Sequence, residues 1–208
     1  MTKIKICGLS RKEDIDAVNI ALPDYAGFVF APSKRRIGAT LAEELKNRLD
    51  RRIEAVGVFV NEEPEAIAEI YKSGIIDMAQ LHGDECDEYV KRLKGLCGCR
   101  VIKAVGVGGQ LPQLPEMQDY LLFDTLSERR GGTGRAFDRG LLEGYRGPPY
   151  FIAGGLGLGN VAEVIAALSP YCVDVSSGVE ENGAKDAAKI LEFVRRARQN
   201  GPKRDTCP

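Results

Sequence analysis

The chain has 208 residues, 44% of them hydrophobic, with 29 Lys and Arg against 30 Asp and Glu for a net charge of -1. A chain of this size buries roughly 70% of the surface its unfolded form exposes, enough for one complete core. The near-zero charge excludes a strongly basic surface that would dominate nucleic-acid binding, no apolar run reaches the roughly 18–20 residues of a membrane span, and the hydrophobic fraction excludes disorder.

In chain order, short β-branched runs alternate with longer amphipathic stretches. A first strand is expected at residues 3–7, with a helical pattern at 14–20. A second strand at 26–30 leads to a helix that opens at Leu41-Ala42-Glu43-Glu44-Leu45. The third, 55–60, precedes Pro64, placed as a first-turn proline ahead of Ala66, Ile67 and Ile70. The fourth, 78–81, precedes a helix at 87–93. After the fifth, 101–105, Leu111-Pro112-Gln113-Leu114-Pro115 allows one short helical turn at most. Strands at 120–124, 150–153 and 173–176 complete the set, with helical patterns at 161–168 and 187–197.

Most of these strands are near-continuous apolar runs, as in a parallel sheet buried on both faces. Eight strands, each trailed by a helical stretch, describe an α/β fold of the (β/α)8 TIM-barrel type. An open doubly wound sheet uses the same alternation but leaves two edges to protect. No composition shift divides the chain. Residues 1–200 are therefore expected to form a single barrel domain and residues 201–208 a flexible, polar tail.

The six cysteines, Cys7, Cys86, Cys97, Cys99, Cys172 and Cys207, form no disulfide framework. The N-terminus MTKIKICGLS has no signal-peptide architecture, so reduced thiols in the cytoplasm are expected. Cys97-Gly98-Cys99 and the single histidine, His82, fall short of a four-ligand zinc site, and no metal is expected.

In a parallel α/β barrel, chemistry sits at the C-terminal ends of the strands. Those ends read Cys7-Gly8, then Ser33-Lys34-Arg35, Asn61, Gln80-Leu81-His82-Gly83, Lys103, Asp124-Thr125, Gly154-Gly155 and Asp174-Val175-Ser176-Ser177-Gly178. The glycines and serines after strands seven and eight (Gly154, Gly155, Ser176, Ser177 and Gly178) suit a phosphate, which barrels frequently bind there, although glycines also simply make tight turns. Gly155-Leu156-Gly157-Leu158-Gly159 has the wrong spacing for a dinucleotide.

Cys7 reads either as a buried structural thiol or, at a strand end, as a catalytic one. Asp124 closes the apolar run Tyr120-Leu121-Leu122-Phe123; burial there would keep it protonated as a general acid, and a capping or salt-bridged aspartate is the alternative. His82 is a satisfied loop histidine or a substrate contact. Arg35 belongs to a solvated charge run or grips a carboxylate bidentately. Asp174 points into the barrel mouth or toward a neighbouring loop amide.

Lys5-Ile6-Cys7-Gly8, Gly27-Phe28-Val29-Phe30, Ser33-Lys34-Arg35, Gly57-Val58-Phe59-Val60-Asn61 and Gln80-Leu81-His82-Gly83 resemble the phosphoribosylanthranilate isomerase family of tryptophan biosynthesis. So do Asp124-Thr125, residues 131–138, Ala153-Gly154-Gly155-Leu156 and residues 173–180, in order along the chain as far as Lys185-Asp186. The resemblance implies a (β/α)8 barrel that performs an Amadori rearrangement without a cofactor. It implies Asp124 as general acid, Cys7 as general base and Arg35 on the anthranilate carboxylate. His82 and Asp174 would contact the substrate, and the glycine and serine ends would hold its phosphate.

This chain departs from the family pattern at Arg135, where Lys is common, at Arg139, where Trp is common, and at Gly157-Leu158, where Asn-Pro is usual. The alternatives are another phosphosugar barrel, such as the aminoaldose isomerase of histidine biosynthesis, which pairs two aspartates, and a silent phosphosugar sensor. Cys7 argues against the first, and Cys7 with Asp124 against the second. The expected partner is a small phosphosugar–anthranilate molecule, with neither nucleic acid nor membrane involved. No long exposed apolar helix face is evident, so a monomer is expected.

Overall fold

The computed structural model describes residues 1–125 and 138–199. Eight parallel strands close into a barrel in chain order: β1 Lys3–Cys7, β2 Tyr25–Val29, β3 Glu54–Phe59, β4 Met78–Leu81, β5 Arg100–Val107, β6 Tyr120–Thr125, β7 Tyr150–Ile152 and β8 Cys172–Val175. Every expected strand is present. β8 pairs with β1 from Lys3↔Cys172 to Ile6↔Val175, which excludes the open sheet. A small antiparallel hairpin, β9 Glu180–Glu181 and β10 Ala184–Lys185, follows β8.

The helices are α1 Lys12–Ala21, α2 Ala39–Arg48, α3 Pro64–Lys72, α4 Asp87–Cys97, α5 Val161–Leu168 and α6 Ala187–Gln199. The expectation that a helical stretch trails every strand needs correction. Among the described residues no α-helix follows β5 or β6, only a 3-10 turn at Arg139–Leu142. Pro112 and Pro115 remove two backbone donors just where a helix after β5 would lie. Aromatic packing covers the outer face of β6 instead, with the Phe123 ring edge-on to Tyr145 at 5.5 Å and to Tyr150 at 5.4 Å. The expected tail at 201–208 lies outside the described residues.

The period of two along each strand divides the apolar residues between two cores. Outward-facing Ile4, Ile6, Ala26, Phe28, Ala55 and Phe59 join Ile15, Val18, Leu45, Ile67, Val90, Ile190 and Phe193 of the helices. Inward-facing Tyr25, Val56, Met78, Ile102, Leu122, Phe151 and Cys172 fill the barrel itself. Its lower end is floored by tyrosines. The Tyr25 and Tyr171 hydroxyls lie 3.0 Å apart, and Lys3 Nζ lies over both rings at 5.2 and 5.7 Å.

Three aspartates repeat one device at this lower end. Asp24, Asp77 and Asp119 stand immediately before β2, β4 and β6. Each carboxylate accepts the N–H of the second residue of the preceding strand: Ile4 at 2.9 Å, Ala55 at 2.7 Å and Val101 at 2.7 Å. Each aspartate also donates its own N–H to the carbonyl of that same residue. The clasp grips both backbone groups of one residue and so fixes the register of each strand pair; a slip of one residue would turn every side chain to the wrong face. Lys46 and Lys94 neutralise Asp77 and Asp119.

Asp77→Ala and Asp119→Ala are each expected to lower the unfolding free energy by about 1.5–3 kcal/mol, since each removes a hydrogen bond to a charged group. The check is the urea midpoint at unchanged slope. Losses below about 0.5 kcal/mol, the range of an ordinary surface change, would leave the register to side-chain packing alone.

Candidate active site

The upper end of the barrel gathers the polar side chains. Lys5 and Cys7 lie two residues apart on β1, with regular pairing on both sides and no bulge between them, so both side chains face inward. Cys7 pairs in register with Gly27 of β2. A Cβ on Gly27 would come within 2.8 Å of the Cys7 sulfur, so this position must be glycine for the thiol to occupy its place.

Lys5 is fully buried and donates to Asp174 Oδ2 at 2.8 Å, across the seam where β8 closes onto β1. Of the two directions open to Asp174, the structure thus selects the barrel interior. Burial alone would lower the Lys5 ammonium, but the Asp174 carboxylate and the Cys7 thiol outweigh it and raise it. For Cys7 the balance runs the other way. Burial pushes the thiol up, Lys5 and Lys185 pull it down, and Asp174 adds to the rise.

Lys185 is a residue that sequence reasoning did not select. It is nearly buried on β10 and donates to the Ser176 carbonyl at 2.8 Å, to Ser176 Oγ at 3.2 Å and to Glu180 Oε1 at 3.0 Å. Ser176 Oγ donates in turn to the Cys7 carbonyl at 3.0 Å. Glu180 also accepts Arg35 Nε at 2.6 Å. Burial would lift the Glu180 carboxyl, yet the hydrogen bonds from Arg35 and Lys185 hold it down at about 2. Arg35 lies across Gly8, where a Cβ would meet Arg35 Cδ at 2.4 Å. The loop after β2, the end of β1 and the β9–β10 hairpin therefore form one connected wall.

The opposite wall carries His82 and Asp124. His82 Nε2 lies 3.5 Å from Asp124 Oδ2, and Gln80 Nε2 lies 3.0 Å from His82 Nδ1. A Gln80 amide that donates to Nδ1 places a neutral ring's proton on Nε2, the nitrogen nearer Asp124. Asp124 Oδ1 accepts the Thr125 N–H at 2.7 Å. The burial expected from the apolar run does not reach Asp124, whose side chain is 24% exposed. It stands at the last turn of β6 before the mouth, beyond the packed layer that ends at Leu122.

Lys103, which lies midway along β5 and not at its expected end, and Asn61, just past β3, serve this wall from behind. Lys103 donates to the Gly83 carbonyl at 2.7 Å and to buried Glu85 at 2.9 Å, while Glu85 accepts the N–H groups of Gly83 and Asn61. These bonds fix the turn that aims His82. Nothing in a lone Glu85 or Gln80 signals this in the sequence; the alternation of β4 marks Gln80 as inward-facing and is the one available clue.

Gly154 and Gly155 follow β7 with φ of +77° and +65°. Ser177 and Gly178 lie in the turn after β8, and Gly178 packs so closely on Leu156 that a Cβ would sit 2.0 Å from the Leu156 carbonyl oxygen. The two loops therefore touch. Gly154, Gly155, Ser177 and Gly178 donate no backbone hydrogen bond to another described residue. Arg135, in residues 131–137, lies outside the described residues. Among the described residues no cluster of potential metal ligands occurs, and no helix is long and apolar enough to cross a membrane.

The family model of N-(5'phosphoribosyl)anthranilate (PRA) isomerase matches residues 4–196. The N-(5'-phosphoribosyl)anthranilate isomerase of Endomicrobium trichonymphae is 49% identical over 196 residues, covering 94% of this chain and 98% of that protein. Among solved structures, the phosphoribosyl anthranilate isomerase of Thermotoga maritima superposes with a TM-score of 0.83 at 35% identity, covering 96% of this chain and all of the other. A phosphoribosyl anthranilate isomerase in complex with reduced 1-(o-carboxyphenylamino)-1-deoxyribulose 5-phosphate superposes with a TM-score of 0.80 at 34% identity over the same shares. With its barrel and nearly its full length matching, the chain belongs to the phosphoribosylanthranilate isomerase family.

Proposed function

We propose that this protein catalyses the Amadori rearrangement of N-(5-phosphoribosyl)anthranilate to 1-(o-carboxyphenylamino)-1-deoxyribulose 5-phosphate in tryptophan biosynthesis. The observation that carries the reading is the pairing, at one barrel mouth, of a thiol between two lysines with a carboxyl group beside a histidine. Family membership and the product analogue bound by a relative support the substrate class.

Asp124, as general acid, gives its proton to the ribose ring oxygen. The C1′–O bond breaks as the anthranilate nitrogen lone pair forms a C1′=N bond, leaving a protonated Schiff base. The carboxylate formed on Asp124 keeps the Thr125 N–H and faces the His82 Nε2–H, so both of its oxygens meet donors. Cys7, as thiolate, then removes the C2′ proton. The C–H electrons form the C1′=C2′ bond and those of C1′=N return to nitrogen. The enolamine tautomerises to the ketone. Atoms and electrons balance within the substrate, so the reaction calls for no cofactor.

A half-buried thiol with little solvent around it is a poor base unless cations favour its charged form. Lys5 on β1 and Lys185 on β10 supply them, against the opposing carboxylate of Asp174 on β8. Arg35, its Nε committed to Glu180, presents the rest of its five-donor fork to the anthranilate carboxylate. Asp174 contacts the sugar or the anthranilate side from its seat on Lys5, and the N–H groups of Gly154, Gly155, Ser177 and Gly178 face the phosphate, whereas the Ser176 hydroxyl gives its proton to the Cys7 carbonyl and is not a phosphate donor.

Mixing the protein with freshly made phosphoribosylanthranilate is expected to abolish its anthranilate-type fluorescence rapidly. Cys7→Ala and Asp124→Asn, folded by circular dichroism, are expected to slow the decay by orders of magnitude. Binding without decay in the wild type would make the protein a phosphosugar sensor, and full activity in Cys7→Ala would place the base elsewhere.

Removing the cation nearest Cys7 is a separate test. The base must be deprotonated, so kcat/KM rises with pH up to the thiol pKa. Lys5→Met raises that pKa further, moving the rising limb to higher pH and lowering the rate at pH 7 by about an order of magnitude. Lys5→Arg, which keeps the charge, is expected to restore the limb in part. An unshifted limb in Lys5→Met rules out this source of activation.

A further inference from the structure

Arg139 has no role in the chemistry above, yet it occupies an unusual position. It opens the 3-10 turn that returns the chain toward β7, and it is half-buried. Its Nη2 donates to the Gly154 carbonyl at 2.8 Å. Its Nε is buried with no hydrogen-bond partner among the described residues, and burial lowers the guanidinium from its ordinary value. A cation held in such a place at a cost is expected to do work that a neutral residue cannot.

The geometry of the peptide unit says what that work is. In a trans peptide the C=O and N–H point in opposite directions across one rigid plane. The Gly154 carbonyl and the Gly155 N–H share such a plane. Arg139, by holding the carbonyl on its own side, turns the Gly155 N–H to the opposite side. The constraint matters because both residues are glycines at positive φ, for which many orientations of this plane are open. Asn160 acts likewise on the next unit, its Nδ2 donating to the Gly155 carbonyl at 2.8 Å, which leaves the Leu156 N–H opposed to it. The front of Gly154 is closed by Asp124 and Thr125, whose side-chain oxygens lie 2.9 and 2.5 Å from where a Cβ would stand. The loop is thus held from behind by Arg139 and bounded in front by the general acid.

We propose that Arg139 is a positioning residue for the substrate phosphate, locking the Gly154–Gly155 peptide so that the Gly155 N–H faces the phosphate. This rests on the assignment of the glycine turn as a phosphate site. A second effect follows from the same bond: the guanidinium polarises the peptide it holds and makes the Gly155 N–H a stronger donor.

The test is steady-state kinetics with inorganic phosphate as a competing probe, on the wild type, Arg139→Ala and Arg139→Lys, each with its melting temperature recorded. Arg139→Ala is expected to raise KM and the phosphate inhibition constant together by about tenfold, with kcat changed less than about twofold. Arg139→Lys, which keeps a donor, is expected to recover part of both. A purely structural role would lower the melting temperature and leave the phosphate constant unmoved. Equal phosphate inhibition of wild type and Arg139→Ala overturns the positioning role alone. Failure of phosphate to compete with substrate in the wild type overturns the phosphate assignment and this proposal with it. Should Arg139→Ala not fold, Arg139→Met, which keeps most of the buried stem, carries the same comparison.

Discussion

The ion pair between Lys5 and Asp174 is the constraint around which the upper barrel is arranged. It joins residues 169 positions apart in sequence, on the first and last strands, at the seam where the barrel closes. A lysine with no exposed surface is tolerable only if its charge is matched, so closure of β8 onto β1 and neutralisation of Lys5 are one event. A hydrophobic pair of equal volume would close the seam as well, and often more stably. What the ionic pair adds is a fixed positive charge next to Cys7, inside the barrel and out of reach of solvent screening.

The two ends of the barrel divide the polar residues by purpose. At the lower end, Asp24, Asp77 and Asp119 spend their carboxylates on backbone N–H groups, and the tyrosines close the floor through their hydroxyls. At the upper end Lys5, Lys103, Arg35 and Lys185 pair with carboxylates, and Glu85 and Asp124 also accept loop or strand-end N–H groups. The register clasps below set how far each strand advances and hence which side chain ends at the mouth. Cys7 and Asp124 reach it because β1 and β6 are held at their starts, by Asp24 on Ile4 and by the Asp119 that immediately precedes β6 and grips β5.

Much of this was legible in the sequence, for a physical reason. Strands buried on both faces are written as unbroken apolar runs, so all eight were placed, and the strand-end rule then selected Cys7, Arg35, His82, Asp124 and Asp174. Pairing across a barrel is not written that way. That Asp174 meets Lys5, that Glu180 holds Arg35, and that Lys185 sits between Ser176 and Glu180 all depend on contacts between distant segments. The missing helix after β5 was half-visible in Pro112 and Pro115; the aromatic cover over β6 was not, because it joins Phe123 to Tyr145, which lies in no strand or α-helix, and to Tyr150 at the start of another strand. The reading of Asp124 as buried failed because an apolar run reports on the residues inside it and not on the one that ends it.

The two inward-facing aspartates, Asp124 and Asp174, make the contrast on which the proposed chemistry turns. They lie near the mouth on β6 and β8, and both oxygens of one and one oxygen of the other are engaged. Asp174 faces an ammonium that cannot move away, so its charge belongs to a fixed pair. Asp124 faces a backbone N–H and an imidazole, and it is open to the mouth. In the mechanism proposed above Asp124 gives up a proton, and the Thr125 N–H and the His82 ring are the groups that meet the carboxylate so formed. Asp174 instead holds a lysine beside a thiol. The same side chain thus carries two roles, set by whether its neighbour is a cation or a dipole.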